Sequence, residues 1–263
     1  MIDIKDLNMI FGEGTPNRNH VLKDVNLKVN QGDFITIVGS NGAGKSTLYN
    51  ALSGHDPVAS GNIIFNNLDV TSMAEYKRAS FIGRIFQNPL LGTAGNMSIE
   101  DNMIIAGYKG IKKVRRTLNK KKREEFKTLL TRLEMNLESR LKDNVALLSG
   151  GQRQALTLLM MVMSRPELIL LDEHTAALDP RNAAKVMELT LQFIQEYRLT
   201  AMMITHNMMH AIDFGNRLIM MDKGEIIMDI QGEEKKGLTV NALVEKFHAI
   251  RKEEFLNDEA LLS

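Results

Sequence analysis

The chain has 263 residues, 44% of them hydrophobic and 25% charged, which is enough apolar material for a sizeable core in one domain with lobes. Its formal net charge of +1 argues against a general nucleic-acid-binding surface. Cysteine is absent, which excludes disulfides, and the longest apolar stretch, residues 155–163, is far shorter than the roughly 20 residues of a membrane-spanning helix.

The N-terminal part of the chain has the pattern of β-strands. Residues 1–35 and 61–70 alternate like antiparallel strands, with turns at Asn30-Gln31-Gly32 and Ser60-Gly61-Asn62. Acidic residues lie where a signal peptide has its apolar core, so we expect the chain to stay in the cytosol.

A glycine-rich loop follows the apolar residues 34–38 and precedes a predicted helix. It fits the spacing G-x-x-x-x-G-K-[ST], in which backbone N–H groups surround the phosphates of a nucleotide. Lys45 is expected to reach the β- and γ-phosphate oxygens, and the Ser46 hydroxyl is expected to bind Mg²⁺. The predicted nucleotide-binding residues of this loop are Gly39, Ser40, Asn41, Gly42, Ala43, Gly44, Lys45, Ser46 and Thr47.

The middle of the chain is predicted to be helical. A capping-box pattern at Ser98 and Asp101 begins this region, which continues to about Met163 with interruptions near a basic run and at residues 149–151. The basic run, residues 109–123, is interpreted as a solvated surface segment, with attraction to an anionic membrane surface as the alternative. Ser149 is a predicted N-cap, and the glycines after it offer a second anion-binding helix start.

Two acidic residues follow the apolar residues 168–171, which are predicted to form a buried strand. Ligands of open parallel sheets bind at the carboxyl ends of the strands. Asp172 suits a contact to Mg²⁺, and Glu173 can polarise a water molecule aimed at a γ-phosphate. Beyond them the chain alternates between helices and strands, as in a parallel sheet. We predict a helix at 182–197, a strand at 201–205, a helix at 208–214, a hairpin at 218–228 and a terminal helix at 238–255.

Residues 148–152, Leu-Ser-Gly-Gly-Gln, resemble the signature of the ATP-binding cassette (ABC) ATPases and lie between the glycine-rich loop and the Asp-Glu strand, in the family's order. The resemblance implies an α/β P-loop NTPase with a RecA-like core, an antiparallel β lobe and an inserted α-helical lobe. It implies an ABC ATPase domain over residues 1–246, with the helical lobe at about 90–164, and a C-terminal helical tail at 247–263.

The resemblance also implies roles for individual residues. The catalytic set is expected to be Glu173, His206 and Gln87, where Gln87 joins the Mg²⁺ and the attacking water to the transport partner, and His206 contacts the γ-phosphate. Phe11 is expected to stack on adenine. The expected ligands of Mg²⁺ are Ser46, Gln87 and Asp172. The residues expected to meet the ATP held by a second chain are Ser149, Gly150, Gly151 and Gln152.

Two further features near Glu173 can be compared with the family pattern. Residues 176–179 resemble the D-loop, which reaches towards the other subunit. His174 departs from the pattern, because the family usually has proline after the catalytic glutamate. The resemblance implies that this difference affects how the D-loop is held in place.

The function implied is ATP hydrolysis that energises an ABC transporter from the cytoplasmic face of the membrane. Segments 87–94, 172–180 and 215–221 resemble a bacterial subgroup linked to tryptophan- or tyrosine-type uptake, so we expect an importer of a small solute such as an amino acid. Expected partners are a second ATPase subunit, transmembrane permease subunits and an extracytoplasmic substrate-binding protein, without nucleic acid. The alternatives are an exporter subunit and a soluble ABC ATPase in DNA repair or translation.

Overall fold

The structure, a computed structural model, describes residues 1–107 and 118–250, in which strands and helices alternate along the chain. The strands are β1 (Ile2–Phe11), β2 (Asn19–Val29), β3 (Phe34–Gly39), β4 (Ser60–Phe65), β5 (Leu68–Asp69), β6 (Ile82–Ile85), β7 (Leu168–Asp172), β8 (Thr200–Ile204), β9 (Arg217–Asp222) and β10 (Glu225–Gln231). The helices are α1 (Lys45–Ser53), α2 (Glu75–Arg78), α3 (Ile99–Ala106), α4 (Lys120–Thr131), α5 (Gly150–Met163), α6 (Pro180–Tyr197), α7 (Met208–Asp213) and α8 (Gly232–Lys236), with a 3₁₀ turn at Val145–Leu147 and a further helix over residues 240–250.

These elements form two compact units, each assembled from separate parts of the chain. Unit one consists of Met1–Leu52, Asp56–Ser72 and the chain from Met203, and unit two consists of Ser53–His55 and Met73–Met202. The division into an ABC ATPase domain over 1–246, with a helical lobe at about 90–164 and a tail at 247–263, stays a prediction. Residues 251–263 of that tail lie outside the described residues.

Unit one contains an antiparallel sheet in the order β2-β1-β4-β5. Ile4 lies opposite Leu27 on one side and Ile63 on the other, as the alternating N-terminal pattern predicts. Residues 34–35 are an exception to that pattern, because they begin β3, which is buried along its length and pairs in parallel with β9. Strand β9 then turns back into antiparallel β10, which confirms the predicted hairpin.

Unit two combines helices with the parallel pair β6 and β7, in which Ile85 lies opposite Leu171. The predicted N-caps are correct: Ser98 accepts a hydrogen bond from the Asp101 N–H at 3.1 Å, and Ser149 caps α5. The helical prediction is wrong between residues 132 and 149, which contain a single 3₁₀ turn. Glu134 and Asn136 adopt left-handed φ values of 54° and 56°, which a helix does not accommodate.

Part of the predicted basic run lies outside the described residues, namely 109–117. Lys120 begins α4, and Arg123 on that helix forms an ion pair with Glu100 at 2.8 Å. The described end of the run is therefore helical, and the membrane-surface alternative stays a hypothesis. Across residues 1–107 and 118–250, no helix combines the length and the hydrophobicity needed to cross a membrane.

Lys235 is a buried cation on α8, a helix that the sequence did not predict. Its ammonium group donates hydrogen bonds to the backbone carbonyls of Ile212 at 2.7 Å, Phe214 at 2.6 Å and Gly215 at 3.2 Å. The first of these carbonyls belongs to α7 and the others lie just beyond it, so the ammonium closes the end of that helix.

Replacing Lys235 with methionine should therefore lower the free energy of unfolding by about 1–3 kcal/mol, since it leaves partly buried carbonyls without this donor. Urea denaturation at neutral pH measures the effect. Lys236→Met is the matched control, because Lys236 is exposed and pairs only at the surface with Glu233 at 2.6 Å, where a change of less than about 0.5 kcal/mol is expected. Equal unfolding midpoints for the two variants would refute the role of Lys235 in closing the end of α7.

Candidate active site

The glycine-rich loop of unit one connects the end of β3 to the start of α1. A side chain at Gly39 would bring its Cβ to 2.1 Å from the Met221 carbonyl oxygen, and one at Gly44, where φ is +95°, to 2.8 Å from the Leu22 side chain. Both positions therefore require glycine. The loop is packed closely against its own unit and presents the N-terminus of a nine-residue helix, which favours an anion.

Lys45 places its charge inside this loop. The side chain is 5% exposed, and its Nζ donates to the carbonyl oxygens of Gly39 at 2.8 Å and Ser40 at 2.9 Å. Ser46, the next residue, is exposed at the first turn of α1. An ammonium group and a hydroxyl next to helical N–H groups form an arrangement suited to nucleotide phosphates.

The hairpin between β9 and β10 supports the loop from its side. Ser40 donates its hydroxyl proton to Asp222 at 2.8 Å, and the Gly224 N–H donates to the Ala43 carbonyl at 3.2 Å. Asp222 is 2% exposed. The sequence indicates only that Asp222 lies within the predicted hairpin at 218–228, because the contact with Ser40 joins positions 182 residues apart.

The other predicted residues of unit one are exposed at the ends of strands. Phe11 ends β1 and is 41% exposed, so its ring is available for stacking. His206 follows β8, and the residue before it, Thr205, donates its N–H to the Ile37 carbonyl on β3 at 3.1 Å. The chain that carries His206 is thus held against the strand that leads into the glycine-rich loop.

Unit two brings the end of β7, which carries Asp172, together with the segment after β6 that contains Gln87, here called the glutamine loop. Because β6 and β7 are parallel and in register, Gln87 and Asp172 leave the pair at the same edge. Asp172 is 9% exposed and accepts a hydrogen bond from Arg84 Nη2 at 2.9 Å. Glu173 directly follows the strand with a left-handed φ of 46°. The sequence did not indicate this role for Arg84, because the short strand that carries it, β6, has no distinctive pattern of residues.

The signature segment of unit two is a capped helix start. The Ser149 hydroxyl accepts from the Gln152 N–H at 3.3 Å, and the Gln152 side chain accepts from the Ser149 N–H at 3.2 Å. Gly150 is exposed, whereas Gly151 is buried against Asn182 at the start of α6. The capping box orients the first turn of α5 and leaves Gly150 accessible for an anion.

Two residues of α5 that the sequence did not single out hold the surrounding loops. Arg153 donates to the carbonyls of Val145 at 2.9 Å and Ala146 at 3.0 Å, just before the signature. Gln154, which is fully buried, donates to the Phe86 carbonyl at 3.2 Å, next to Gln87. The signature helix and the glutamine loop are therefore connected within unit two.

The segment after Glu173, which contains the predicted D-loop at residues 176–179, forms a turn that leads into α6. The Ala176 N–H donates to the Glu173 carbonyl at 2.9 Å, and the Asp179 side chain caps α6 through the Asn182 N–H at 3.1 Å. Hydrogen bonds from the Asn182 side chain, and then from its backbone, lower the pKa of Asp179, so the cap is charged at neutral pH. Helix α6 begins two residues before the predicted 182, because Asp179 and Pro180 supply its N-terminal residues.

Comparison with known proteins decides which family this geometry represents. Residues 22–176 match the model of the ABC transporter family. The chain belongs to the ABC transporter family. As an ABC ATPase it binds and hydrolyses ATP, which confirms the predicted family, enzyme class and fold class.

Individual relatives agree with this assignment. The ABC ATPase is 41% identical over 252 residues to the tyrosine transport ATP-binding protein of Clostridioides difficile (strain R20291), a match that covers 94% of this chain and 98% of that protein. It is 35% identical over 251 residues to the macrolide export ATP-binding/permease protein MacB of Aggregatibacter actinomycetemcomitans, covering 94% of this chain but 37% of that protein. A solved dimeric ATP-binding cassette, bound to ADP and Pi in a post-hydrolysis state, shares a TM-score of 0.72 at 26% identity, covering 88% of this chain and 98% of that one.

Proposed function

We propose that this ABC ATPase is the energy-coupling subunit of an importer for a small solute such as an amino acid. The observation that carries the proposal is the near full-length similarity to the Clostridioides difficile protein, whose name specifies tyrosine transport. The proposed partners are a second copy of this chain, transmembrane permease subunits and an extracytoplasmic substrate-binding protein. The dimeric state of the related cassette supports the second copy, and the proposed location is the cytoplasmic face of the membrane.

In this proposal the residues of each unit have distinct roles in ATP hydrolysis. Lys45 neutralises the β- and γ-phosphate oxygens, and Glu173 accepts the proton of the attacking water. His206 contacts the γ-phosphate. The remaining nucleotide contacts come from Phe11 on adenine, from residues 39–44 and 46–47 of the glycine-rich loop, and from residues 149–152 of the second copy.

Mg²⁺ is proposed to bind through Ser46, Gln87 and Asp172. A hydroxyl, an amide oxygen and a carboxylate are hard oxygen donors of the kind that Mg²⁺ prefers. Within unit one Ser46 is exposed, and within unit two Gln87 is exposed and the carboxylate of Asp172 accepts a hydrogen bond from Arg84 at 2.9 Å. When bound, Mg²⁺ supplies charge neutralisation at the phosphates.

An exporter is the second candidate, favoured by the 35% identity to MacB. Membrane isolation and transport assays distinguish the candidates. We expect a tagged full-length chain, purified from detergent-solubilised membranes, to retain a polytopic membrane protein. Cells carrying this system are expected to accumulate radiolabelled tyrosine, and Lys45→Ala should abolish the accumulation. If Lys45→Ala abolishes efflux but not uptake, the result would support the exporter. If ribosomes or DNA complexes are recovered with the purified chain, the result would refute a transport role.

A further inference from the structure

His174 follows Glu173 and is almost fully enclosed in unit two. The side chain is 2% exposed, and its Nε2 lies 2.9 Å from the hydroxyl oxygen of Thr190 in the middle of α6, which is itself fully buried. The residue at which this chain departs from the ABC ATPase pattern therefore makes a specific polar contact.

The neighbouring hydrogen bond defines the direction of this contact. Thr190 donates its only hydroxyl proton to the Val186 carbonyl at 2.8 Å, one turn earlier in α6. Its oxygen can then only accept from the imidazole, which assigns a proton to Nε2 of His174. The contact is a hydrogen bond from the loop to the helix.

The backbone next to this bond is conformationally restricted. Glu173 has a φ of 46°, in the left-handed region, which costs free energy for a residue with a side chain and persists only where the surroundings fix it. Towards the other end of the segment, Asp179 caps the first turn of α6. The segment from Glu173 to Asp179 is thus attached to one helix at two points, and His174 provides the point nearer to the carboxylate.

We propose that His174 is a positioning residue for ATP hydrolysis. Its hydrogen bond to Thr190 holds the backbone of Glu173 in the left-handed conformation and so fixes the direction of the Glu173 carboxylate. In the family pattern a proline ring restricts the chain at this position, whereas here a buried hydrogen bond does so. The inference rests on the proposed catalytic role of Glu173.

Thr190→Val removes the acceptor and preserves the shape of the side chain. We expect kcat per ATP-binding site, with sites counted by equilibrium binding, to fall at least fivefold while KM for ATP is unchanged. Thr157→Val is the matched control, because Thr157 is 4% exposed on α5 and also donates to a carbonyl one turn earlier, that of Arg153 at 2.9 Å. Its kcat should change by less than twofold.

Two substitutions of His174 separate positioning from packing. His174→Gln keeps an N–H donor near the position of Nε2 and should retain kcat within about twofold, whereas His174→Asn is too short to reach Thr190 and should match Thr190→Val. Combining His174→Asn with Thr190→Val should cause no further loss. A folded Thr190→Val protein with the parental kcat, or losses that multiply in the double variant, would overturn the inference. If Glu173→Gln is itself active, the proposed catalytic role of Glu173 fails instead.

Discussion

Replacing Glu173 with glutamine should lower the rate of ATP hydrolysis by about 10²- to 10⁴-fold while ATP still binds. The amide has nearly the shape of the carboxylate but cannot accept a proton from the attacking water. ATP should then remain bound, and size-exclusion chromatography should show a dimer that persists with ATP. Phosphate release and equilibrium ATP binding measure the two parts of this result.

The other end of the same strand provides a matched control for Glu173→Gln. Glu167 is exposed just before β7, whereas Glu173 lies just after it. Glu167→Gln changes the net charge by the same amount and should leave the rate within about twofold of the parent. A Glu173→Gln protein that hydrolyses ATP at the parental rate would exclude Glu173 as the catalytic carboxylate.

Gly150→Asp should reduce the ATPase activity of the homodimer to near background by placing a carboxylate where the phosphates of the other chain's ATP are proposed to bind. The like charges repel in a site with little water. Folding should not suffer, because an acid in the first turn stabilises a helix and the new Cβ meets only the flexible Leu178 side chain at 3.3 Å. Gly151 is unsuitable, since a Cβ there lies 2.6 Å from Asn182.

Gly150→Asn is the neutral control of the same size and should retain at least tenfold more activity than Gly150→Asp. Mixing Gly150→Asp with Lys45→Ala tests the shared site. A mixed dimer has both substitutions in one ATP site and leaves the other ATP site intact. The ATPase activity of the mixture should therefore exceed that of either variant alone. Parental activity in the Gly150→Asp homodimer would refute the role of the signature.

A cysteine crosslink gives an independent measure of the shared site. The natural sequence has no cysteine, so a disulfide can form only between introduced residues. Asn41→Cys on one chain and Ser149→Cys on the other should crosslink with ATP and remain separate without it. A crosslink that forms equally with and without ATP, or no crosslink under either condition, would contradict a site formed by the two loops.

The parts of the site predicted from sequence are those encoded by short local patterns. The loop ending in Lys45, the cap at Ser149 and the strand end at Asp172 each depend on a few adjacent residues whose backbone groups set the geometry. The roles of Phe11, Gln87 and His206 rest on the family resemblance and stay predictions.

Three of the residues that the sequence did not single out share a different property, which is that their partners are distant in sequence. Arg84 meets its partner across 88 residues, Gln154 across 68 and Asp222 across 182. Local patterns carry no information on such pairs. The wrong helix after residue 131 has a local cause, because Glu134 and Asn136 adopt left-handed conformations that residues other than glycine seldom favour.

The parallel pairing of β3 with β9 has a consequence for synthesis of the chain. Ile35 lies opposite Arg217, so 182 residues separate the two partners. At the usual elongation rates of about 5–20 residues per second, the ribosome needs roughly 10–40 s to make that stretch. Strand β3, with the glycine-rich loop attached, therefore cannot pair with β9 until most of the polypeptide has been synthesised. Unit two, which is encoded within that interval, has all of its segments available first.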